Sequence, residues 1–189
     1  MAPFEFLLLF AAIILGLAVC DLAMSLHRLL AATGRVKWDW VAPLAGVVAF
    51  LKIVTQWWTW FGVEQIAKGL TFEMFLVVLM GAVVLFLLAA AALPDEAPEG
   101  PIDLRAHWTT VSRRWWTLFV IHWLLMNAIG IWAQVQIQHA HLLMFAWPYL
   151  LMPVSISLIF IRNRWWQTIC LLALLGLYLS QFFGQALAA

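Results

Sequence analysis

Charge is scarce in this chain. Asp, Glu, Lys and Arg supply 10% of the 189 residues, against about 25% in soluble proteins. Hydrophobic residues supply 66%, against a soluble norm of about 45–50%. So little polar material cannot cover a globule, which excludes a soluble enzyme, a disordered chain and a nucleic-acid binder. The ten basic residues barely exceed the nine acidic ones and are scattered, so no nucleic-acid partner is expected. Cysteine is nearly absent. Cys20 and Cys170 lie inside apolar runs, where they read as small membrane-buried side chains and not as a disulfide framework. No Lys or Arg precedes the first apolar run. Leu17-Ala18-Val19-Cys20 loosely resembles a lipoprotein cleavage box, but bulky Val19 and the missing basic region argue against cleavage.

Catalytic signatures are missing too. There is no HExxH, GxSxG, P-loop, CxxC or EF-hand loop, so no catalytic residue and no enzyme activity is expected. His139-Ala140-His141 offers too few ligands for a metal site. A b-type haem needs two histidines at similar depth on facing helices. His122 lies inside an apolar run, His27 near a boundary and His107 in a connection, so no cofactor is expected. The last apolar run has no lysine for a retinal-type Schiff base.

What the chain does have is apolar length. Its mean hydropathy is +0.99. Six stretches approach the roughly 20 apolar residues that a spanning helix needs: 4–26, 41–62, 72–93, 115–136, 142–161 and 165–187. They are too long and continuous for outer-membrane strands, and backbone groups in lipid must be satisfied internally, so they read as helices. Turn residues separate them: Thr33-Gly34-Arg35, Gly69 with Thr71, the acidic Pro-rich 94–101, and Arg162-Asn163-Arg164. Eight of the ten Lys and Arg fall in the connections after runs one, three and five. The positive-inside rule then gives an all-α, polytopic bundle of six spans with both termini outside, N-out/C-out. Arginine-over-lysine usage and Ala/Leu/Trp richness suggest a bacterial inner membrane.

Thirteen tryptophans fit interfacial belts. Trp38, Trp40, Trp115, Trp116, Trp165 and Trp166 flank cytoplasmic helix starts, and Trp57, Trp58 and Trp60 an outer end. Trp115, Trp116, Trp165 and Trp166 are therefore expected as interface anchors. The repeated Arg-Trp-Trp at 114–116 and 164–166 needs no internal repeat to explain it. In 103–114, Leu104, Trp108, Val111 and Trp115 share a face with Asp103 placed to cap it. This predicts either a short interfacial amphipathic helix or an early start to the fourth span.

Ionisable groups at membrane depth are costly and are the first functional candidates. Asp21 has Ser25 and Arg28 on its face of the first run. Lys52 lies near the middle of the second, in a polar stripe with Thr55, Gln56 and Thr59. His122 lies in the fourth, with Asn127 and Gln134 on another stripe. At 1.5 Å per residue the three are roughly 8, 16 and 12 Å from the cytoplasmic boundary, so Asp21, Lys52 and His122 are candidates for one polar cluster. The bland reading is that Lys52 snorkels, Asp21 pairs with Arg28, and His122 bonds a carbonyl. Glu64, Lys68 and Glu73 read as solvated. Tyr178, Gln181 and Gln185 read as interhelical hydrogen-bonding groups, Pro148 and Pro153 as kinks in the fifth span, and Ala12, Gly16 and Cys20 as a close-packing stripe.

Two functions follow. The first is a transporter or ion/proton-conducting protein using the Asp21/Lys52/His122 cluster, with Ser25, Thr55 and Gln56 around it. The alternative is a non-catalytic subunit or assembly factor. Expected partners are the lipid bilayer and either a second copy or a larger membrane complex. A membrane enzyme or haem carrier ranks third.

Overall fold

The computed structural model describes residues 3–61, 71–95, 100–133 and 146–186. Among them the chain forms six α-helices: α1 Pro3–Ala31, α2 Val41–Phe61, α3 Phe72–Ala90, α4 Leu104–Ala133, α5 Ala146–Phe160 and α6 Arg164–Ala186. Two short strands, β1 Val36–Lys37 and β2 Ile102–Asp103, pair in parallel. Three helices are long and apolar enough to cross a membrane: Glu5–Ala31 in α1, Val41–Thr59 in α2 and Phe72–Ala90 in α3. Their outward faces carry side chains that water would not tolerate in such density. Ile13, Leu17, Trp58 and Met80 are each more than half exposed. This is an integral membrane protein.

α1 buries Leu7, Ala11, Leu15, Ala18 and Leu22, a stripe at helical spacing. It packs most extensively on α3, more than on its sequence neighbour α2. α3 in turn packs on α4, α4 on α5, and α2 on α6. Small residues permit these approaches. α2 presents Ala42, Ala45 and Ala49 to the core, and a Cβ on Gly46 would touch Leu22 and Leu93. At Gly81 of α3 the Met126 side chain of α4 occupies the space of a Cβ. The expected seam Ala12–Gly16–Cys20 points elsewhere: Gly16 and Cys20 are exposed, and nothing lies near Gly16. The stripe one residue earlier, through Ala11, Leu15 and Ala18, does the packing.

The connections carrying the basic residues meet at one end of the bundle. Strand β1, after α1, pairs with β2, after α3. Arg164 at the start of α6 pairs with Asp39 before α2 at 2.5 Å. Arg28 of α1 donates to the backbone carbonyl of Asp95 after α3. The three helices leaving this basic end share a device. Asp39 Oδ1 accepts from the Val41 N–H, Asp103 Oδ1 from those of Arg105 and Ala106, and Asn163 Oδ1 from that of Trp165. Each satisfies first-turn N–H groups that have no partner within the helix. Those of Arg105 and Ala106 hold the Asp103 carboxyl below its usual range.

Asp103 caps one unbroken helix. The expected separate interfacial helix does not form, because Leu104, Trp108 and Trp115 are buried against the bundle and not laid on a membrane surface. Glu64, Lys68, Gln134, His139 and His141 lie outside the described residues, as do the side chains of Trp60, Pro148, Gln181 and Gln185.

Candidate functional site

α2 turns its buried face inward through Val41, Ala45, Val48, Ala49 and Ile53, and Lys52 falls on that same stripe. Its side chain is therefore delivered into the core, 8% exposed. There Lys52 Nζ donates to the Tyr178 hydroxyl of α6 at 3.4 Å and stands 4.9 Å from the centre of the Phe119 ring of α4. The ring's negative face attracts the ammonium. One turn beyond Phe119, His122 is 1% exposed and within electrostatic range of Lys52. Neither of its ring nitrogens has a hydrogen-bond partner. Phe119 also stacks on Trp115, with centroids 5.7 Å apart, and meets Trp116 edge-on. Both indoles are fully buried with unpartnered Nε1–H groups.

Parallel register among α2, α4 and α6 builds this site. Near the basic end, Trp108 Nε1 donates to Gln167 Oε1 at 2.7 Å. Eleven residues further along each helix come Phe119 and Tyr178, a rise of about 16 Å. Ser112 of α4 and Thr168 of α6 are buried near the Trp108–Gln167 level, Thr168 Oγ1 without a partner. Beyond Lys52, α2 carries half-buried Thr55 and Gln56 and exposed Thr59. The Thr55 hydroxyl donates to the Leu51 carbonyl.

The expected cluster is thus divided. Lys52 and His122 come together, but Asp21 does not join them. It lies in range of Asp95 and Arg28, with Oδ2 buried and without a partner. Ser25, one turn on, donates to Asp95 Oδ1 at 3.3 Å. The reason is azimuth: α1 turns its packed face toward α3, so Asp21 meets the chain leaving α3. His107 joins this second group. Burial pushes its imidazole below the ordinary value, more than offsetting the Ala91 and Ala92 carbonyls that accept from it and the Asp95 charge.

The tryptophan expectations divide as well. Trp165 is 72% exposed and Trp166 38%, suited to an interface. Trp115 and Trp116 are core residues, not anchors, because their helix is packed on both α3 and α5. Phe119 is not among the expected site residues. Tyr178 is expected as an interhelical hydrogen-bonding group, and its hydroxyl does accept from Lys52 of α2. Among the described residues no group of three or more His, Cys, Asp or Glu is placed to hold a metal ion. Compared with family models, curated proteins and solved structures, the chain matches none significantly.

Proposed function

We propose that this is a six-span, N-out/C-out protein of a bacterial inner membrane that conducts protons or proton-coupled ions, with Lys52, His122 and Tyr178 as its intramembrane site. One observation carries the reading: two basic side chains are buried within electrostatic range of each other, and among the described residues neither has a carboxylate in ion-pair reach. A lysine kept only for stability would have a counter-ion or reach water, since an unpaired charge at this depth costs several kcal/mol or more. A lysine that gains and loses a proton needs neither permanently. Buried Ser112 on α4 toward the basic end, and half-buried Thr55 and Gln56 on α2 beyond Lys52, put polar side chains on either side of the site. Gathering of the basic connections at one end supports the orientation.

The subunit reading keeps one observation in its favour, exposed Gly16 and Cys20 on an α1 face, with no described residue within 4 Å of a Cβ at Gly16.

The test is flux. In liposomes carrying the purified protein, an imposed pH gradient should dissipate faster than in empty ones. Lys52→Met should abolish the gain, and Asp21→Asn should retain it. Loss only in Asp21→Asn moves the site to α1. No flux with the wild type removes the transport reading.

A further inference from the structure

We infer that the Lys52–His122–Tyr178 cluster binds a small monovalent anion, a halide or short carboxylate, taken up together with a proton. The inference rests on the transport reading and names its substrate class. The hydrogen-bonding inventory carries it. Lys52 has three N–H donors, and one reaches Tyr178. The Tyr178 oxygen accepts that bond, so its own proton points elsewhere. His122 is unpartnered at both nitrogens, and the neighbouring Trp115 and Trp116 indoles have N–H groups without acceptors. Buried donors without acceptors are costly, and a native core seldom collects so many in one place. With the His122 ring protonated both its nitrogens donate, and the ligand that satisfies the set is then acceptor-only.

Among the described residues no carboxylate supplies that acceptor. α3 carries one ionisable residue, Glu73, exposed in its first turn. Asp21 of α1 lies by Arg28 and Asp95. The charged residues of α4 and α6 stand at the basic end, and α6 adds only Cys170 there toward the core. α5 has no acidic or basic residue.

Charge and depth narrow the ligand. One lysine and one histidine, with no arginine fork, do not match a phosphate or sulfate dianion. At about 16 Å from the Trp108–Gln167 level, a weakly hydrated monovalent ion is the least costly to dehydrate. Aromatic edges, which are electropositive, add to its shell. Electroneutrality ties it to a proton. The anion and the proton held on Lys52 or His122 enter as a pair, and no net charge is left in the core. By reciprocity, anion affinity must weaken as pH rises above the proton-binding range, approaching about tenfold per unit.

The experiment uses the full chain in nanodiscs. Bromide, and separately formate, is titrated against gluconate at constant ionic strength, at mildly acidic and alkaline pH. Bromide NMR linewidth and thermal midpoint are the readouts. Saturable, acid-favoured binding is expected. It should vanish in Lys52→Met, weaken about tenfold in Tyr178→Phe, and persist in Lys37→Met, which removes an exposed cation. Equal binding in Lys52→Met, no saturable binding, or no pH dependence overturns the inference. If Lys52→Met does not fold, Tyr178→Phe and His122→Gln decide in the same way. Flux without Lys52-dependent anion binding ends this inference and leaves the transport reading standing. Such binding without flux does the reverse.

Discussion

At the basic end of the bundle most polar groups find partners, the exceptions being Asp21 Oδ2, His107 Nε2 and Thr168 Oγ1. Arg164 pairs with Asp39, Arg28 with the Asp95 carbonyl, Trp108 with Gln167, and Asp103 with two backbone N–H groups. About 10–20 Å further along α4, the same kinds of group are left short: His122, Trp115 and Trp116 have none, and Lys52 has a tyrosine and a ring. The Trp108–Gln167 pair and the Lys52 cluster share α4 and α6. The first follows the rules for stability, with caps and pairs that fix how helices enter the bundle. The second breaks them, and groups held against stability are expected where function needs them.

Substitutions sharpen this contrast, the largest effect coming from the wall of the unsatisfied region. Trp115→Ala should cost about 3–5 kcal/mol by leaving a cavity in a filled core. Trp165→Ala, in the same Arg-Trp-Trp sequence but exposed, should cost under about 0.5 kcal/mol. Thermal unfolding in detergent measures both, and equal effects would erase the distinction between core and interface. At the satisfied end, Asp39→Ala removes the α2 cap and strands Arg164. A loss of about 2 kcal/mol is expected, measured by the same unfolding curves and absent if the pair is only a surface contact.

The smallest effect is a pH slope. Burial holds the His107 imidazole below its ordinary 6.5, so the folded state favours the neutral ring. Its contribution is present above the ordinary value and is lost as pH falls through the lower folded one. His107→Gln should flatten the thermal midpoint across that window. An unchanged slope assigns the acid sensitivity to other groups.

Much of the fold was legible in the sequence because it is local. The ends of the first three apolar runs lie within a few residues of α1, α2 and α3, and Asp103 is the cap its position suggested. What the sequence withheld is azimuth and register. Depth put Asp21 and Lys52 at reachable heights, but depth does not say which way a helix faces, and α1 faces α3. Arg-Trp-Trp at 114–116 and 164–166 is the same three letters in two surroundings. The first lies on a helix packed on two sides, the second on an outward face. Tyr178 meets Lys52 across 126 positions, a contact only the assembled register makes.

The most direct measurement is Lys52→Met read twice, for thermal midpoint and for proton flux. Flux should be lost while the midpoint is unchanged or higher, because a buried amine with no counter-ion gives way to an apolar side chain of similar length. A midpoint lowered by several degrees with flux intact contradicts this and makes Lys52 a structural residue.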